Sequence, residues 1–579
     1  MRNPPHARVS QDAVAFVQKL PSIGELFLTN GSSFAREFSE TVAVSDTGTL
    51  ELDDAVYSYG VAEDGRLVIT NCDSKALRLA VPAEIAGMPV KIIAAHSFSM
   101  CYSLEHIDLP ASVEEIHGYS FMNTALETFE APANLRYIGC KTFYKCKRLS
   151  TVTLNEGLLS IGDSAFRESG LASVEIPSTV MSLGQGIFDG TGILCGTGGL
   201  TVSPDNRRIR LKGGALYEIA EDGWALLQLV DEEAVAYDGE GVSEGKPLLY
   251  VADRAFADKK KLQSIKLPEG VVSVGEAAFR GCTALTEVHL PDSLETIGLK
   301  AFWETALPAL HIPASLRTVG TAAFHTGSTV SGVHDATVRH VSVAPDNPVF
   351  CLLDGMLCMR TPDGGYQILL YTGQENPTGD VVIPREVTSI GPYAFSNAKG
   401  LRSLRLHSGI HTVDISGFDF GAIIPDIYYD DLETGETYTI RFPPGSHGYT
   451  YMRQAFNRGV FELEQVYELL DRAIMVTRDP LARAQSMLDR LTNPVFADEA
   501  TLKRYRERLT SMLAKTVVEF GRNGFPQGID MLLDVGVLRK GNIEEAIDAA
   551  QSAGEVAVLS RLMEIRRTQF GAVLFDFDL

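Results

Sequence analysis

The chain has 579 residues, more than one ordinary domain needs, and its 45% hydrophobic and 22% charged content excludes wholesale disorder. Lys and Arg total 51 against 74 Asp and Glu, and the resulting net charge of −23 disfavours nucleic acid as the main ligand. No run approaches the roughly 18 apolar residues that a membrane span needs, so no span is predicted. The eight cysteines include no CxxC pair, which argues against a disulfide scaffold and fits a reducing compartment.

The amino-terminal part of the chain is predicted to hold a short segment and a cap. Residues 1–50 offer one helix candidate, SQDAVAFVQKL over 10–20, and are otherwise polar. They lack the apolar stretch of a secretory signal, so a cytoplasmic location is expected. Residues 51–91 are predicted to cap the structure that follows, because VYSYGVAEDGRLVITNC over 56–72 has the pattern of a β-hairpin.

A repeat of 22 or 23 residues fills the middle of the chain, and a phenylalanine marks each unit. Two apolar phrases accompany it, such as LEHIDLP (104–110) and LETIG (294–298). Each phrase alternates inward and outward as a short strand does, Pro ends the first strand, and Gly after the second permits a turn. One unit cannot bury its own apolar side chains, so the units must stack, and a solenoid is predicted over 92–420. The phenylalanines stand at positions 98, 121, 143, 166 and 188, at 256, 279, 302 and 324, and at 395.

Two longer gaps between phenylalanines are predicted to hold hairpin-like insertions, near 195–245 and near 330–380. Each contains a Pro-Asp-Asn turn, at Pro204–Asn206 and at Pro345–Asn347. A glycine follows at the same distance in both, Gly214 and Gly355. The pattern indicates a turn, a strand, a glycine turn and a second strand.

The carboxyl-terminal part is predicted to change from strands to helices. Residues 421–460 are interpreted as a transition or capping segment, and 461–579 as a helical domain. Asp479 before Pro480 is a candidate helix start, and Asn542 is a candidate capping-box residue. The helices are predicted to form an independent domain, and the alternative is that the first of them covers the open end of the solenoid.

The repeated phrases resemble the BspA-like (Treponema pallidum-type) leucine-rich repeat. The Phe-x-x-Cys ends of that pattern occur at Phe98/Cys101, Phe143/Cys146 and Phe279/Cys282, and the resemblance covers roughly residues 77–415. It implies a leucine-rich-repeat solenoid used for binding. The predicted fold class is therefore α+β: a β-rich leucine-rich-repeat solenoid with two hairpin-like insertions and an all-α carboxyl-terminal domain.

No catalytic group, metal site or cofactor is predicted. The cysteines at positions 101, 146 and 282 share one repeat position, where small buried thiols suit a core. His407 and His411 have i,i+4 spacing but no acidic residue that would complete a zinc motif. GEGVSEGKP (239–247) and LFDFDL (574–579) resemble a phosphate loop and a phosphatase motif only superficially. Three arginines at 504, 506 and 508 are expected on a solvated helix face.

One outward-facing position of the first phrase forms a predicted column of binding residues, which we call the sheet-face column. Its first half is acidic and its second half basic, so it could dock a partner with two charged ends. Exposed strand positions also collect polar residues without any function, and that alternative stays open. The column consists of Asp108, Glu130, Thr153, Glu175, Lys266, His289, His311 and Arg405.

These observations favour a non-enzymatic scaffold that binds a protein or peptide partner through the sheet face. The alternative is a surface-exposed or exported adhesin, which is the role the family resemblance implies. Neither nucleic acid nor a membrane is an expected partner.

Overall fold

The computed structural model describes residues 42–193, 199–220, 222–239, 245–325, 338, 340–373, 379–395, 401–414, 416–417, 426–443 and 462–571. The helix candidate over 10–20 and the tail over 574–579 lie outside these residues. So do most of the loop over 239–247 and most of the predicted transition segment over 421–460.

The chain divides into two compact units, Met1–Val349 and Phe350–Leu579. The first unit contains two stacks of repeats, and the second contains a third stack and the carboxyl-terminal helices. The predicted boundaries at 420 and 461 lie inside the second unit, and the predicted domain division stays a prediction.

The first stack begins with a three-stranded antiparallel meander and continues with short parallel strands, two for most units. Its strands are β1 (Val44–Leu52), β2 (Ala55–Ala62), β3 (Leu67–Ser74), β4 (Arg78–Ala80), β5 (Glu84–Ile85), β6 (Met88–Ile93), β7 (His106–Asp108), β8 (Glu115–Ile116), β9 (Thr128–Glu130), β10 (Tyr137–Ile138), β11 (Thr151–Thr153), β12 (Ser160–Ile161), β13 (Val174–Ile176), β14 (Ser182–Leu183) and β15 (Leu200–Val202). One sheet runs β1-β2-β3-β6-β8-β10-β12-β14, and the first-phrase strands pair as β4-β7, β9-β11 and β13-β15. The hairpin pattern predicted over 56–72 is present as β2–β3, within a meander that starts at Val44, and the role of residues 51–91 as a cap stays a prediction.

The second stack repeats this plan. Its strands are β16 (Ile209–Lys212), β17 (Ala215–Ile219), β18 (Trp224–Leu229), β19 (Ala236–Tyr237), β20 (Leu248–Val251), β21 (Ser264–Lys266), β22 (Ser273–Val274), β23 (Glu287–His289), β24 (Thr296–Ile297), β25 (Ala309–Ile312), β26 (Thr318–Val319) and β27 (His340–Val343). The meander β16-β17-β18 leads into the parallel run β20-β22-β24-β26.

The third stack, in the second unit, follows the same order. Its strands are β28 (Phe350–Leu353), β29 (Met356–Arg360), β30 (Tyr366–Tyr371), β31 (Asp380–Val382), β32 (Val387–Ile390), β33 (Ser403–His407), β34 (Thr412–Val413), β35 (Asp426–Asp430) and β36 (Thr437–Ile440). The third meander strand pairs in parallel with the first repeat strand in all three stacks, as β3–β6, β18–β20 and β30–β32. The two predicted insertions are therefore meanders that each begin a new stack.

In each stack of the first unit the phenylalanines form the buried row that their spacing predicts. Phe143 is fully buried and stacks between its neighbours in the preceding and following units, with ring-centroid distances of 5.5 and 5.3 Å. In the second stack, Phe279 lies 5.1 Å from Phe256 and 5.0 Å from Phe302. Offset stacking at these distances adds to the apolar burial, so the repeat period is fixed by the core.

The glycine after the second phrase has a different role from the predicted turn. A Cβ added at Gly139, Gly162 or Gly298 would lie 2.5, 2.6 or 2.5 Å from a backbone nitrogen of the preceding unit. The left-handed residue lies two positions later, for example Lys141 (φ 51°) and Lys300 (φ 52°). Glycine is therefore needed because two backbones approach closely, and another residue makes the turn.

The two Pro-Asp-Asn turns are equivalent, as predicted. The amide Nδ2 of Asn206 donates to the carbonyl of Pro177 at 2.8 Å, and that of Asn347 donates to the carbonyl of Pro313 at 2.7 Å. In both residues Oδ1 accepts from the backbone N–H two residues later, at 2.9 and 2.8 Å. Each asparagine thus ties a turn to the unit before it.

Seven helices occupy the described residues after 462. They are α1 (Leu463–Val476), α2 (Pro480–Thr492), α3 (Glu499–Ser511), α4 (Leu513–Arg522), α5 (Gly528–Asp534), α6 (Ile543–Ala553) and α7 (Val556–Gln569). Asp479 caps α2 as predicted, because its side chain accepts from the Ala482 N–H at 2.8 Å. The predicted capping box at Asn542 is wrong: Asn542 turns back to accept from the Arg539 N–H at 2.8 Å.

The helices and the third stack share one hydrophobic core. Leu404 and Ile440 of the stack belong to the same buried cluster as Val466 of α1. The hydroxyl of Tyr467 also donates to the carbonyl of Thr439 in β36 at 3.0 Å. These contacts favour the alternative in which the first helix covers the solenoid within this unit.

Candidate binding surface

The structure places the sheet-face column on first-phrase strands, where exposed and buried residues alternate. In β9, for example, Phe129 enters the core at 1% exposure while Thr128 and Glu130 on either side face solvent. The seven column residues of the first unit are exposed, and Arg405 is half-buried. The outward orientation that the alternation predicts is therefore present.

Strand pairing brings the acidic residues of the first stack together. Glu130 and Thr153 are direct partners in the parallel pair β9–β11. An isolated bridge between Thr151 and Ser173 sets Glu175 beside Thr153 on the next strand. Paired strands lie about 4.8 Å apart, so Glu130 and Glu175 are two strand spacings from each other.

The basic residues lie on neighbouring strands of the second stack. Lys266 and His289 are direct partners in β21–β23. The Nε2 of His289 lies 2.8 Å from Oε1 of Glu287 on the same strand. His311 is the partner of Ser342 in β25–β27, and its Nδ1 lies 2.8 Å from the serine Oγ. The carboxylate of Glu287 and the hydroxyl of Ser342 therefore lie beside the basic side chains of this half of the column.

The column has two runs in the first unit. Within the part of the chain that the structure describes, no backbone pairing joins β15 of the first stack to β19 of the second. Side chains make the junction instead: Gln228 donates to Asp189 at 2.8 Å, and Gln185 donates to Asp253 at 3.1 Å. Asp189 and Gln228 are buried, so the junction is a fixed polar contact between the stacks.

Arg405 belongs to the second unit and has its own partners. Its Nη1 donates to Oδ1 of Asp430 at 2.7 Å, and its guanidinium lies 5.2 Å from the ring centroid of Tyr428. Burial alone would raise the pKa of Asp430, but hydrogen bonds from Thr437 and Arg405 hold it below its ordinary value. Arg405 is thus held by an ion pair with Asp430.

The acidic half of the column is wider than its predicted members. Arg148 donates to Glu105 at 2.7 Å and also contacts Glu127 on the next strand. His106 lies 3.1 Å from Asp108, whose side chain is 70% exposed. One arginine faces two glutamates here, so the surface keeps an acidic excess that salt would screen.

The repeat-position cysteines lie in the core. Cys101, Cys146 and Cys282 are each at most 2% exposed. Burial raises the pKa of the Cys146 thiol and raises that of Cys282 to about 12. Both are thiols at neutral pH, which fits packing rather than nucleophilic chemistry.

The histidines at 407 and 411 are not arranged as a metal site. His407 ends β33 and its Nε2 lies 2.9 Å from the carbonyl of Pro384, while His411 is exposed beyond the strand. Across the described residues, no group of three or more His, Cys, Asp or Glu could hold a metal ion. Arg504 and Arg508 face solvent on α3, as predicted, whereas Arg506 is half-buried.

Sequence reasoning missed a polar cluster in the second unit. Arg490 of α2 is 4% exposed in its side chain and donates to both carboxylate oxygens of Asp471 at 2.7 and 2.9 Å. Tyr505 donates to the same carboxylate at 2.8 Å. A cavity of about 260 Å³ adjoins the cluster, lined by Arg490, Arg441 and Tyr467 among others. No local motif links Asp471 to Arg490, because they lie on different helices.

Short strands in units of 22–23 residues, stacked through buried leucines and phenylalanines, define a leucine-rich-repeat solenoid. Residues 84–194, 250–335 and 374–435 match the BspA type leucine rich repeat region, in six copies. The predicted resemblance to the BspA-like leucine-rich repeat is therefore confirmed for these residues.

Similar solved structures include bacterial leucine-rich-repeat proteins. A leucine rich cell surface protein from Faecalibacterium prausnitzii is 22% identical, with 64% of this chain and 73% of that chain covered and a TM-score of 0.27. The pneumococcal vaccine antigen PcpA is 17% identical, with 68% and 95% covered and a TM-score of 0.40. The T. pallidum leucine rich repeat protein TpLRR is 24% identical, with 43% and 85% covered and a TM-score of 0.24.

No curated protein matches the chain. Among the described residues, none of the helices combines the length and the apolar character that crossing a bilayer requires.

Proposed function

We propose that this chain is a non-enzymatic scaffold that binds a protein or peptide partner along the sheet-face column of its first unit. The observation that carries the proposal is the register of exposed charged residues on paired strands. Glu130 and Glu175 present carboxylates on the first stack, and Lys266 and His311 present nitrogen groups on the second. Exposed polar rows on a rigid sheet suit a partner that docks along several strands.

Charge complementarity defines the partner that fits this surface. The acidic run favours a segment rich in Lys or Arg, and the basic run favours Asp, Glu or a phosphorylated residue. Such contacts act mainly on association rate and specificity, so binding should weaken as salt rises. The cytoplasmic location and the exported, adhesin-like role are two forms of the proposal that use the same face, and cell fractionation separates them.

The test uses charge-reversal variants of the full chain. Glu130→Lys with Glu175→Lys changes the acidic run, and Lys266→Glu with His311→Glu changes the basic run. The matched control is Glu63→Lys with Asp205→Lys, because both residues are exposed in turns outside the column. All sites are exposed, so each variant should keep the melting temperature of the wild type to within a few degrees.

Peptides selected from a random displayed library on the wild-type protein provide the probe. We expect the selection to enrich basic or acidic peptides. Basic peptides should bind the acidic-run variant at least tenfold more weakly than the wild type, and acidic peptides should bind the basic-run variant at least tenfold more weakly. The turn control should stay within about twofold of wild type. Selected peptides that bind both column variants as well as the wild type would refute the column as the binding surface.

A further inference from the structure

Two cysteines face each other across the hairpin that begins the second unit. Cys351 in β28 and Cys358 in β29 are direct partners in the antiparallel register. Residues directly opposite on antiparallel strands have Cα atoms about 4.5–5.5 Å apart. A disulfide spans Cα separations of about 4.4–6.8 Å. Directly opposite residues therefore meet this requirement whether they form a hydrogen-bonded or a non-hydrogen-bonded pair.

The hairpin fixes this register tightly. Asp354 and Gly355 connect the strands, and both have positive φ, 47° and 75°. Two left-handed residues in a two-residue connection form the type I′ turn, whose twist matches the strands. The pairs Leu353–Met356 and Leu352–Leu357 lie between the turn and the two cysteines. A slip that separates the thiols would therefore break the turn and two cross-strand pairs.

The equivalent hairpins of the other stacks show that the thiol pair is particular to this one. The first hairpin has Leu50 opposite Tyr57, and the second has Arg210 opposite Tyr217. Both tyrosines are 1% exposed, as deep in the core as Cys358 of the third hairpin at 0%. The first and second hairpins thus bury a large aromatic side chain at this position. The third hairpin buries a thiol there and has a second thiol directly opposite.

The two thiols differ in access to solvent. Cys351 is half-buried, so a small reagent can reach it, whereas Cys358 lies in the core of the second unit. Burial raises the pKa of both thiols, and the nearby Cys351 raises that of Cys358 further. Reaction at neutral pH should begin at Cys351 and proceed slowly, because the thiolate is the reactive form.

We propose that Cys351 and Cys358 form a disulfide that closes this hairpin under oxidising conditions and opens under reducing conditions. The Cys351 thiolate attacks one sulfur of a small disulfide such as oxidised glutathione, which forms a mixed disulfide and releases one glutathione thiolate. Cys358 loses its proton to solvent and attacks the Cys351 sulfur, which forms the Cys351–Cys358 bond and releases the second glutathione. Two protein thiols are oxidised and one small disulfide is reduced to two thiols.

The state of this disulfide depends on the redox conditions around the protein. In a reducing compartment the pair stays as thiols, and in an oxidising compartment it closes the first hairpin of the second unit. A loop of this size removes conformational freedom from the unfolded chain, so closure should raise the melting temperature by about 5 °C. This inference does not depend on the sheet-face column of the first unit.

The test oxidises the reduced full chain with a mixture of oxidised and reduced glutathione at pH 8. Free thiols are then blocked with N-ethylmaleimide in denaturant, and peptides are mapped without reduction. The expected result is a linked peptide pair containing Cys351 and Cys358, and a melting temperature that falls when the protein is reduced again. Cys282, a lone buried thiol in the first unit, should carry maleimide throughout as the internal control.

Single variants separate the role of Cys351 as the attacking thiol from the role of Cys358 as the resolving thiol. Cys358→Ala should leave Cys351 as a stable mixed disulfide with glutathione, because the resolving thiol is gone. Cys351→Ala should leave Cys358 unmodified until the protein is denatured. Neither variant should show a redox-dependent melting temperature. Wild-type protein in which both cysteines carry maleimide after equilibration, or whose oxidised and reduced forms melt together, would overturn the proposal.

Discussion

Replacing Gly298 by alanine should destabilise the second stack strongly, because of where its backbone lies. The new Cβ would be 2.5 Å from the nitrogen of Glu276 and 2.5 Å from the carbonyl carbon of Gly275. Both atoms are backbone, so no side chain can move aside. The Gly298 N–H also donates to the carbonyl of Val274 at 2.8 Å, and that bond holds the two units together.

The expected cost follows from these contacts. Overpacking a rigid site costs about 1–3 kcal/mol. Moving the units apart would also weaken the bond to Val274 and the bond from the Gly320 N–H to the carbonyl of Ile297 at 2.7 Å, each worth about 0.5–1.5 kcal/mol. A loss of about 2–5 kcal/mol is therefore expected. It should be local at first, since a repeat contacts mainly its neighbours.

Ala277 supplies the matched control in the unit before. It has φ of +52°, which costs an L-residue about 1–2 kcal/mol. Ala277→Gly removes that strain but gives the unfolded chain about 0.4–1 kcal/mol more entropy, so the net change should be near zero or slightly stabilising. The two variants exchange the same residues in opposite directions.

Hydrogen exchange measured by mass spectrometry on the full chain tests the pair. Peptides covering 262–324 should exchange much faster in Gly298→Ala and at wild-type rates in Ala277→Gly, while peptides of the third stack should not change. If Gly298→Ala exchanges like wild type, the glycine is not required by close backbone approach. If Ala277→Gly instead accelerates exchange, the conclusion that Ala277 makes the turn in a strained left-handed conformation is wrong.

Phe279→Ala should cost about 3–5 kcal/mol, because a fully buried ring that stacks on Phe256 and Phe302 would leave a cavity between units. Urea unfolding followed by circular dichroism measures it, and an unchanged transition would contradict the role given to the stacked rings. Truncating the chain after residue 461 should expose the part of the third stack that packs against α1, so the fragment should aggregate in size-exclusion chromatography. A monomeric truncated protein that melts like the full chain would instead support an independent helical domain.

Much of the fold was predictable because the repeat carries its own evidence. A phenylalanine every 22 or 23 residues cannot be buried in one unit, so stacking follows from the sequence. The equivalence of Asn206 and Asn347 was also predictable, since both follow the same Pro-Asp dipeptide. The alternation in the first phrase likewise placed Glu130, Lys266 and their neighbours on the outer face.

Other features depend on residues that are distant in sequence. Glycine is needed at position 298 because the backbone of the preceding unit lies against it. No local sequence pattern distinguishes a glycine required by such a close approach from a glycine required by a turn. Arg405 repeats the pattern of the other column residues, yet Asp430, which binds it, lies 25 positions away in a strand with a different phrase. Asn542 matched a capping box in spacing, but its side chain bonds to the turn before the helix.

By itself, the sequence determined the period, the inward and outward faces of each strand and the change from strands to helices, because these depend on neighbours within one or two units. Only the tertiary structure showed that the two insertions begin new stacks, that α1 shares the core of the third stack, and that Cys351 lies opposite Cys358. Those features arise from contacts between segments, and the free energy of such contacts depends on which backbones meet rather than on any local pattern.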